Sequence, residues 1–166
     1  MKSCSGDLIA GVVGTSIKVR NLTDGSEKEI HEYTRRGVPA ISHGGRDIAF
    51  IESGSNSASL LVATSGGGAA RELAVANSPV EFFPQWGLAW SPDDRFVYFI
   101  RRPDAHSAFE LFRVPATGGT PESVGLKAEG LQDLDIAPDG TRIAFVIRNG
   151  NQPELWSLQN FLPARK

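Results

Sequence analysis

A chain of 166 residues is long enough to bury one sizeable core. Its 40% hydrophobic and 22% charged content is ordinary for a globular protein, and a net charge of −2 carries no field that would recruit nucleic acid or an anionic membrane. One cysteine, Cys4, excludes an internal disulfide framework, and no apolar run approaches the ~20 residues of a membrane span.

The residues from Met1 to Gly6 hold no hydrophobic stretch of a signal peptide or lipoprotein leader. The compartment, periplasm or cytoplasm, is left open by the sequence. Eighteen glycines and ten prolines, scattered between short apolar runs, predict many turns and an all-β chain.

In chain order, Ser3-Cys4-Ser5-Gly6 aligns with a turn that returns later, so the chain is expected to open at a turn, after a missing first strand. Ile17 to Leu22 reads as a third strand, Thr23-Asp24-Gly25-Ser26 as a turn, and Glu27 to His31 as a fourth. The second copy has strands at Val38–Ser42, Asp47–Glu52, Ser59–Thr64 and Ala70–Val75. His43-Gly44-Gly45 and Ser65-Gly66-Gly67-Gly68 fill its turns. The central copy runs Trp86–Trp90, the turn Pro92-Asp93-Asp94, then Phe96–Ile100, Phe109–Val114 and a strand near Pro121–Leu126. Phe96 to Ile100 is apolar at every position, so that strand needs cover on both faces. The last copy has Leu131–Ala137, the turn Pro138-Asp139-Gly140, Arg142–Arg148 and Pro153–Leu158, with no fourth strand before Asn160-Phe161-Leu162-Pro163.

The repeated phrase starts at Ser42, Ser91 and Ala137, so its spacing is 49 and then 46 residues. A period in the forties built of four hairpin-linked strands describes the blade of a β-propeller. The predicted fold is all-β, a partial β-propeller of about three and a half four-stranded antiparallel blades. The repeats fall near 1–33, 34–78, 79–127 and 128–166, forming an open arc unless another chain completes it.

Trp90-Ser91-Pro92-Asp93-Asp94-Arg95 and Ala137-Pro138-Asp139-Gly140-Thr141-Arg142 resemble the PD40 repeat, the WD40-like unit of TolB-like propellers. The ending Glu154-Leu155-Trp156-Ser157-Leu158 resembles the close of bacterial members. The resemblance implies the C-terminal portion of a longer propeller, in a regulatory or envelope protein. The same phrase occurs in propellers of prolyl-oligopeptidase-like serine peptidases. One fold hosts many jobs, so the resemblance is specific for fold and not for function.

Candidate chemistry is sparse. His43-Gly44-Gly45 looks like oxyanion-hole glycines but occupies the turn slot of the repeat. The chain has no G-x-S-x-G; Gly54-Ser55-Asn56-Ser57-Ala58 misses the last glycine, so a serine nucleophile has no positioned seat. Asp133, Asp135 and Asp139 miss a calcium loop because Ala137 stands where a third oxygen ligand is needed. Asp139 is instead expected to build its turn, while Asp133 and Asp135 share one face of an innermost strand and are channel-facing candidates. The histidines His31, His43 and His106 have no metal-ligand spacing. Trp86, Trp90 and Trp156 read as core residues.

The loops opposite the turns carry Arg35, Arg36, Arg101, Arg102 and Arg148, with Phe82 and Phe83 between them. Arginine and aromatic residues are enriched in binding hot spots, which makes this rim a candidate surface for an acidic partner. The expectation is therefore a noncatalytic scaffold for protein interaction or ligand sensing, without cofactor or metal. The alternative is a noncatalytic propeller fragment of a prolyl-oligopeptidase-like peptidase. A protein partner is expected, together with self-association through the apolar faces that an open arc leaves at its ends.

Overall fold

The computed structural model describes residues 2–32, 38–55, 57–77, 81–82, 87–102, 104 and 106–162. Every regular element among them is a β-strand, and the strands form four antiparallel sheets in chain order. The first blade is β1 (Lys2–Ser5), β2 (Leu8–Val13), β3 (Ser16–Asn21) and β4 (Glu27–Glu32). The second is β5 (Ala40–Ile41), β6 (Asp47–Ser53), β7 (Ser57–Thr64) and β8 (Arg71–Asn77). The third holds β9 (Glu81–Phe82), β10 (Leu88–Trp90), β11 (Phe96–Arg102), β12 (Phe109–Pro115) and β13 (Glu122–Ala128). The fourth is β14 (Leu131–Ile136), β15 (Arg142–Asn149) and β16 (Gln152–Gln159). The innermost strands β1, β5, β10 and β14 lie side by side in that order, as in an arc of a propeller.

The first blade corrects an expectation. It has its innermost strand: Lys2 to Ser5 pairs with Gly11 to Leu8. Alignment on the repeat predicts a four-residue turn here, but the hairpin closes with two residues, Gly6 and Asp7, and Gly6 takes φ +53°. Two-residue loops of this kind use a glycine with positive φ to match the twist of the flanking strands. The third blade also differs, because β9 pairs with the end of β11 on the edge that β10 occupies.

Among the described residues, three cores lie between the blades. Ala10, Ile17 and Val19 meet Ile48 and Phe50; Ile51, Leu60 and Val62 meet Val97, Phe99 and Phe112; Tyr98, Ile100 and Leu111 meet Leu131, Ile143 and Phe145. Successive residues of a strand point to opposite faces. Val97 and Phe99 therefore pack on the second blade while Tyr98 and Ile100 pack on the fourth, which is why this strand is apolar throughout. Trp90 is buried as expected, Trp156 is half exposed contrary to expectation, and Trp86 lies outside the described residues.

The repeated turns also join the blades. Each closes on itself, with Gly45 N–H bonded to Ser42 O, Asp94 N–H to Ser91 O and Gly140 N–H to Ala137 O. The third position takes positive φ in all three copies, at Gly45, Asp94 and Gly140. Asp94 is the residue without glycine's freedom, at φ +55°. Its carboxylate accepts the N–H groups of His43 and Gly44 at 2.7 Å each, tying the third blade's turn to the second's. The Ser5 hydroxyl donates to His43 O, tying the first blade to the second. Asp94→Ala keeps the backbone strain and loses both bonds, so it is expected to lower stability by about 2 kcal/mol, whereas Asp94→Gly relieves the strain and costs about 1 kcal/mol. Urea denaturation of both variants checks the ordering.

Candidate functional site

The four innermost strands converge on one open cavity of about 420 Å³. Each strand supplies a piece of the wall: Cys4 and Ser5 from β1, Ala40 and Ile41 from β5, Ala89 and Trp90 from β10, Leu134 and Asp135 from β14. His43 closes the side nearest the turns. The Trp90 indole N–H donates to Ala40 O at 2.8 Å, so the ring is locked between two blades, buried in the core beside the cavity. Asp135, solvent-exposed, is the one carboxylate among the described lining residues. Its described lining combines apolar Ile41, Leu88 and Leu134 with the Cys4 thiol, the Ser5 hydroxyl, the His43 imidazole and the Asp135 carboxylate. That chemistry suits a ligand with a hydrogen-bond donor or a cationic end.

Asp133 and Asp135 are not neighbours on one face. A β-bulge at Asp133, with φ +52°, shifts the register between Gln132 and Leu134 and breaks the alternation. Asp135 reaches the cavity, while Asp133 sits near Arg148, and its partial burial raises its carboxyl above the ordinary 3.8 against the pull of the Arg148 guanidinium. A carboxyl raised in the folded state is held more easily as the neutral acid, so its contribution falls as pH rises through the window just above 3.8. Asparagine is neutral and tolerates this backbone conformation. Asp133→Asn is expected to raise the melting temperature at pH 7, with the gain vanishing below about pH 3.8. Thermal melts at the two pH values check it.

Arg101 and Arg102 stand at the end of β11, where β9 pairs with it. Arg101 and Arg102 are consecutive on β11 and turn to opposite faces. The Arg101 guanidinium lies over the Phe112 ring at 4.2 Å and that of Arg102 over Phe109 at 5.0 Å. Arg101 also stands opposite Glu110, a carboxylate only 4% exposed, in the β11–β12 ladder. Glu110 accepts the Ser123 hydroxyl and pairs with Lys127 at 3.2 Å. Burial pushes the Arg101 guanidinium pKa down, and Glu110 opposes the shift. Phe82 pairs with Arg101 through the backbone of β9, and Arg148 is exposed at the end of β15. Arg35, Arg36 and Phe83 lie outside the described residues.

A second cavity of about 350 Å³ opens between the third and fourth blades, walled by Phe96, Tyr98, Arg113, Asp139 and Phe161. Arg113 stacks over Phe96 at 4.7 Å and bonds Glu122 at 3.0 Å, and Asp139 accepts Thr141 N–H as a turn residue. Sequence reasoning missed the Glu110–Ser123–Lys127 group and the cavity. The lone acid in Phe109-Glu110-Leu111-Phe112 is the signal that marks the first, because a charge on a buried strand needs partners.

The family model described as the lipoprotein LpqB beta-propeller domain matches residues 21–155. No curated protein matches the sequence. Among solved structures, TolB from Acinetobacter baumannii superposes with a TM-score of 0.72 at 16% identity, covering 92% of this chain and 38% of that one. The TolB described as putative from Agrobacterium tumefaciens gives 0.67 at 19% identity, covering 95% and 57%. A puromycin-hydrolyzing peptidase of Mycobacterium tuberculosis gives 0.62 at 17% identity, covering 87% and 27%. The chain thus spans less than two thirds of each of these proteins, and identities this low speak for the fold alone.

Proposed function

The chain belongs to the lipoprotein LpqB β-propeller domain family, and from that membership we propose that it is a noncatalytic binding module of a larger regulatory or envelope protein. The central cavity takes a donor-bearing or cationic group of a protein partner or small ligand, with Asp135 as its counter-charge. The observation that carries this reading is the convergence of all four innermost strands on one cavity. A site walled by strands of a packed scaffold holds its groups more firmly than one built on loops.

The noncatalytic part of the reading has its own support. An oxyanion hole needs free N–H donors aimed at the reacting atom. The N–H groups of His43 and Gly44 are already engaged by Asp94. The fold shared with a peptidase propeller favours neither scaffold nor peptidase fragment. We place a second contact for an acidic partner on the rim of Arg101, Arg102 and Arg148, and self-association on the end faces of the arc.

The test is titration with short lysine- and arginine-containing peptides, followed by amide chemical shifts. Shifts confined to Cys4, Ile41, Ala89 and Asp135, and lost in Asp135→Asn, support the reading. Shifts elsewhere, or none with any peptide, reject the cavity as the site. Turnover of peptide or ester substrates that a single substitution abolishes would reject the noncatalytic role.

A further inference from the structure

We propose that Asn149 is a site of self-modification, at which the folded chain converts an asparagine into aspartate and isoaspartate through attack by the backbone nitrogen of Gly150. The proposal does not depend on the central cavity.

Three dipeptides place a glycine after an aspartate or asparagine: Asp24-Gly25, Asp139-Gly140 and Asn149-Gly150, all at turns. In each, the glycine nitrogen can attack Cγ of the preceding side chain and close a five-membered ring, because a glycine has no side chain to obstruct the approach. At an asparagine the new N–Cγ bond forms as the Cγ–Nδ2 bond breaks, and ammonia leaves with the proton of the attacking nitrogen. Water then opens the resulting succinimide at one of its two carbonyls. Opening at Cγ gives aspartate, and opening at the main-chain carbonyl gives isoaspartate. The chain needs a glycine nitrogen that is not engaged and a side chain free to swing towards it.

The fold separates the three sites. Gly25 N–H donates to Asn21 O at 2.9 Å and Gly140 N–H to Ala137 O at 2.8 Å, so both nitrogens are occupied. Asp24 accepts the N–H of Ser26 and Asp139 that of Thr141, each at 2.9 Å, which pins the carboxyl two residues ahead. Hydrogen bonds from Ser26 and Thr141 also hold these carboxyls below the ordinary 3.8. A carboxylate must take up a proton before it can lose water, so the same bonds oppose the reaction twice.

Neither restraint exists at Asn149. β15 and β16 are joined by a two-residue loop, Gly150 and Asn151, whose first N–H lies outside the ladder. Among the described residues neither the Asn149 side chain nor the Gly150 N–H has a hydrogen-bond partner. Residues 148 to 152 are all exposed, so water reaches the ring. Asn149 pairs with Gln152 as the last rung of the ladder, where strands open first. The product carries a new negative charge next to Arg148. An acidic partner on the rim of Arg101, Arg102 and Arg148 would be repelled by it; that consequence rests on the rim reading, and the modification does not.

The experiment incubates the full chain at neutral pH, folded in buffer and unfolded in guanidinium chloride. Peptide mapping and labelling with an isoaspartyl methyltransferase follow each of the three sites. The unfolded sample supplies the intrinsic rate of each. The ratio of folded to unfolded rate is expected to be about tenfold or more higher at Asn149 than at Asp24 or Asp139. Folded chain should accumulate a more acidic species on ion exchange. Asn149→Gln, at an exposed position, should largely lose that species with its melting transition unchanged. An Asn149 that stays intact in the folded chain while it converts in denaturant overturns the proposal. So do equal ratios at the three sites, or an acidic species that persists undiminished in Asn149→Gln.

Discussion

Trp90→Ala is expected to lower the free energy of unfolding by about 3–5 kcal/mol, a large part of the roughly 5–15 kcal/mol that holds a domain folded. Trp90 is 3% exposed and sits among Ala40, Val97 and Phe99 in the core between the second and third blades. Its indole N–H reaches Ala40 O at 2.8 Å, so the side chain ties blades through both packing and a hydrogen bond. Trp90→Phe separates the two contributions. It keeps most of the ring burial, leaves the Ala40 carbonyl without that donor, and should cost about 1–2 kcal/mol. Urea unfolding of both variants measures the split, and equal losses would mean that the hydrogen bond rather than the packing joins these blades. The peptide titration of the central cavity should then be run on Trp90→Phe, whose wall is nearly intact.

Glu110→Ala should cost about 1–3 kcal/mol, because it removes the acceptor of the Ser123 hydroxyl, the partner of Lys127 and the carboxylate opposite the half-buried Arg101. Among the described residues the Arg101 Nε already has no hydrogen-bond acceptor, so loss of the Glu110 charge nearby leaves it less compensated still. Lys127→Ala offers the contrast. Lys127 is 61% exposed, so solvent screens its pairing with Glu110 and its loss should cost no more than about 1 kcal/mol. If the two variants lose equal stability, Glu110 acts through the exposed pair and not through Arg101. Glu110→Gln keeps the size and an acceptor for Ser123, and falls between them.

Much of the fold was legible because its signals are local. The turn at Ser91-Pro92-Asp93-Asp94 is closed by bonds between residues close in sequence, and Ser91 Oγ bonds the N–H groups of Arg95 and Phe96 as well. The unbroken apolar run Phe96 to Ile100 required neighbours on both faces, and the second and fourth blades supply them. The site was less legible. Arg101 and Arg102 are adjacent in sequence, but which aromatic ring each guanidinium covers, Phe112 and Phe109, depends on the neighbouring strand β12. Asp133 and Asp135 read as a pair because regular alternation was assumed, and a bulge breaks it. Lys2 to Ser5 was hidden for a related reason: the first hairpin is shorter than its counterparts, so aligning it on the repeat moved the strand into the turn.

The sequence by itself determined the all-β class, the blade repeat and the placing of the turns, since each depends on dihedral preferences and on apolar patterning over a few residues. Only the tertiary structure decided that the four innermost strands enclose one cavity. It also decided that Asp94 grips the neighbouring turn. Those features join residues far apart in sequence, 51 positions in the case of His43 and Asp94, and local preference carries no information on which distant groups will meet. Packing between blades makes that choice.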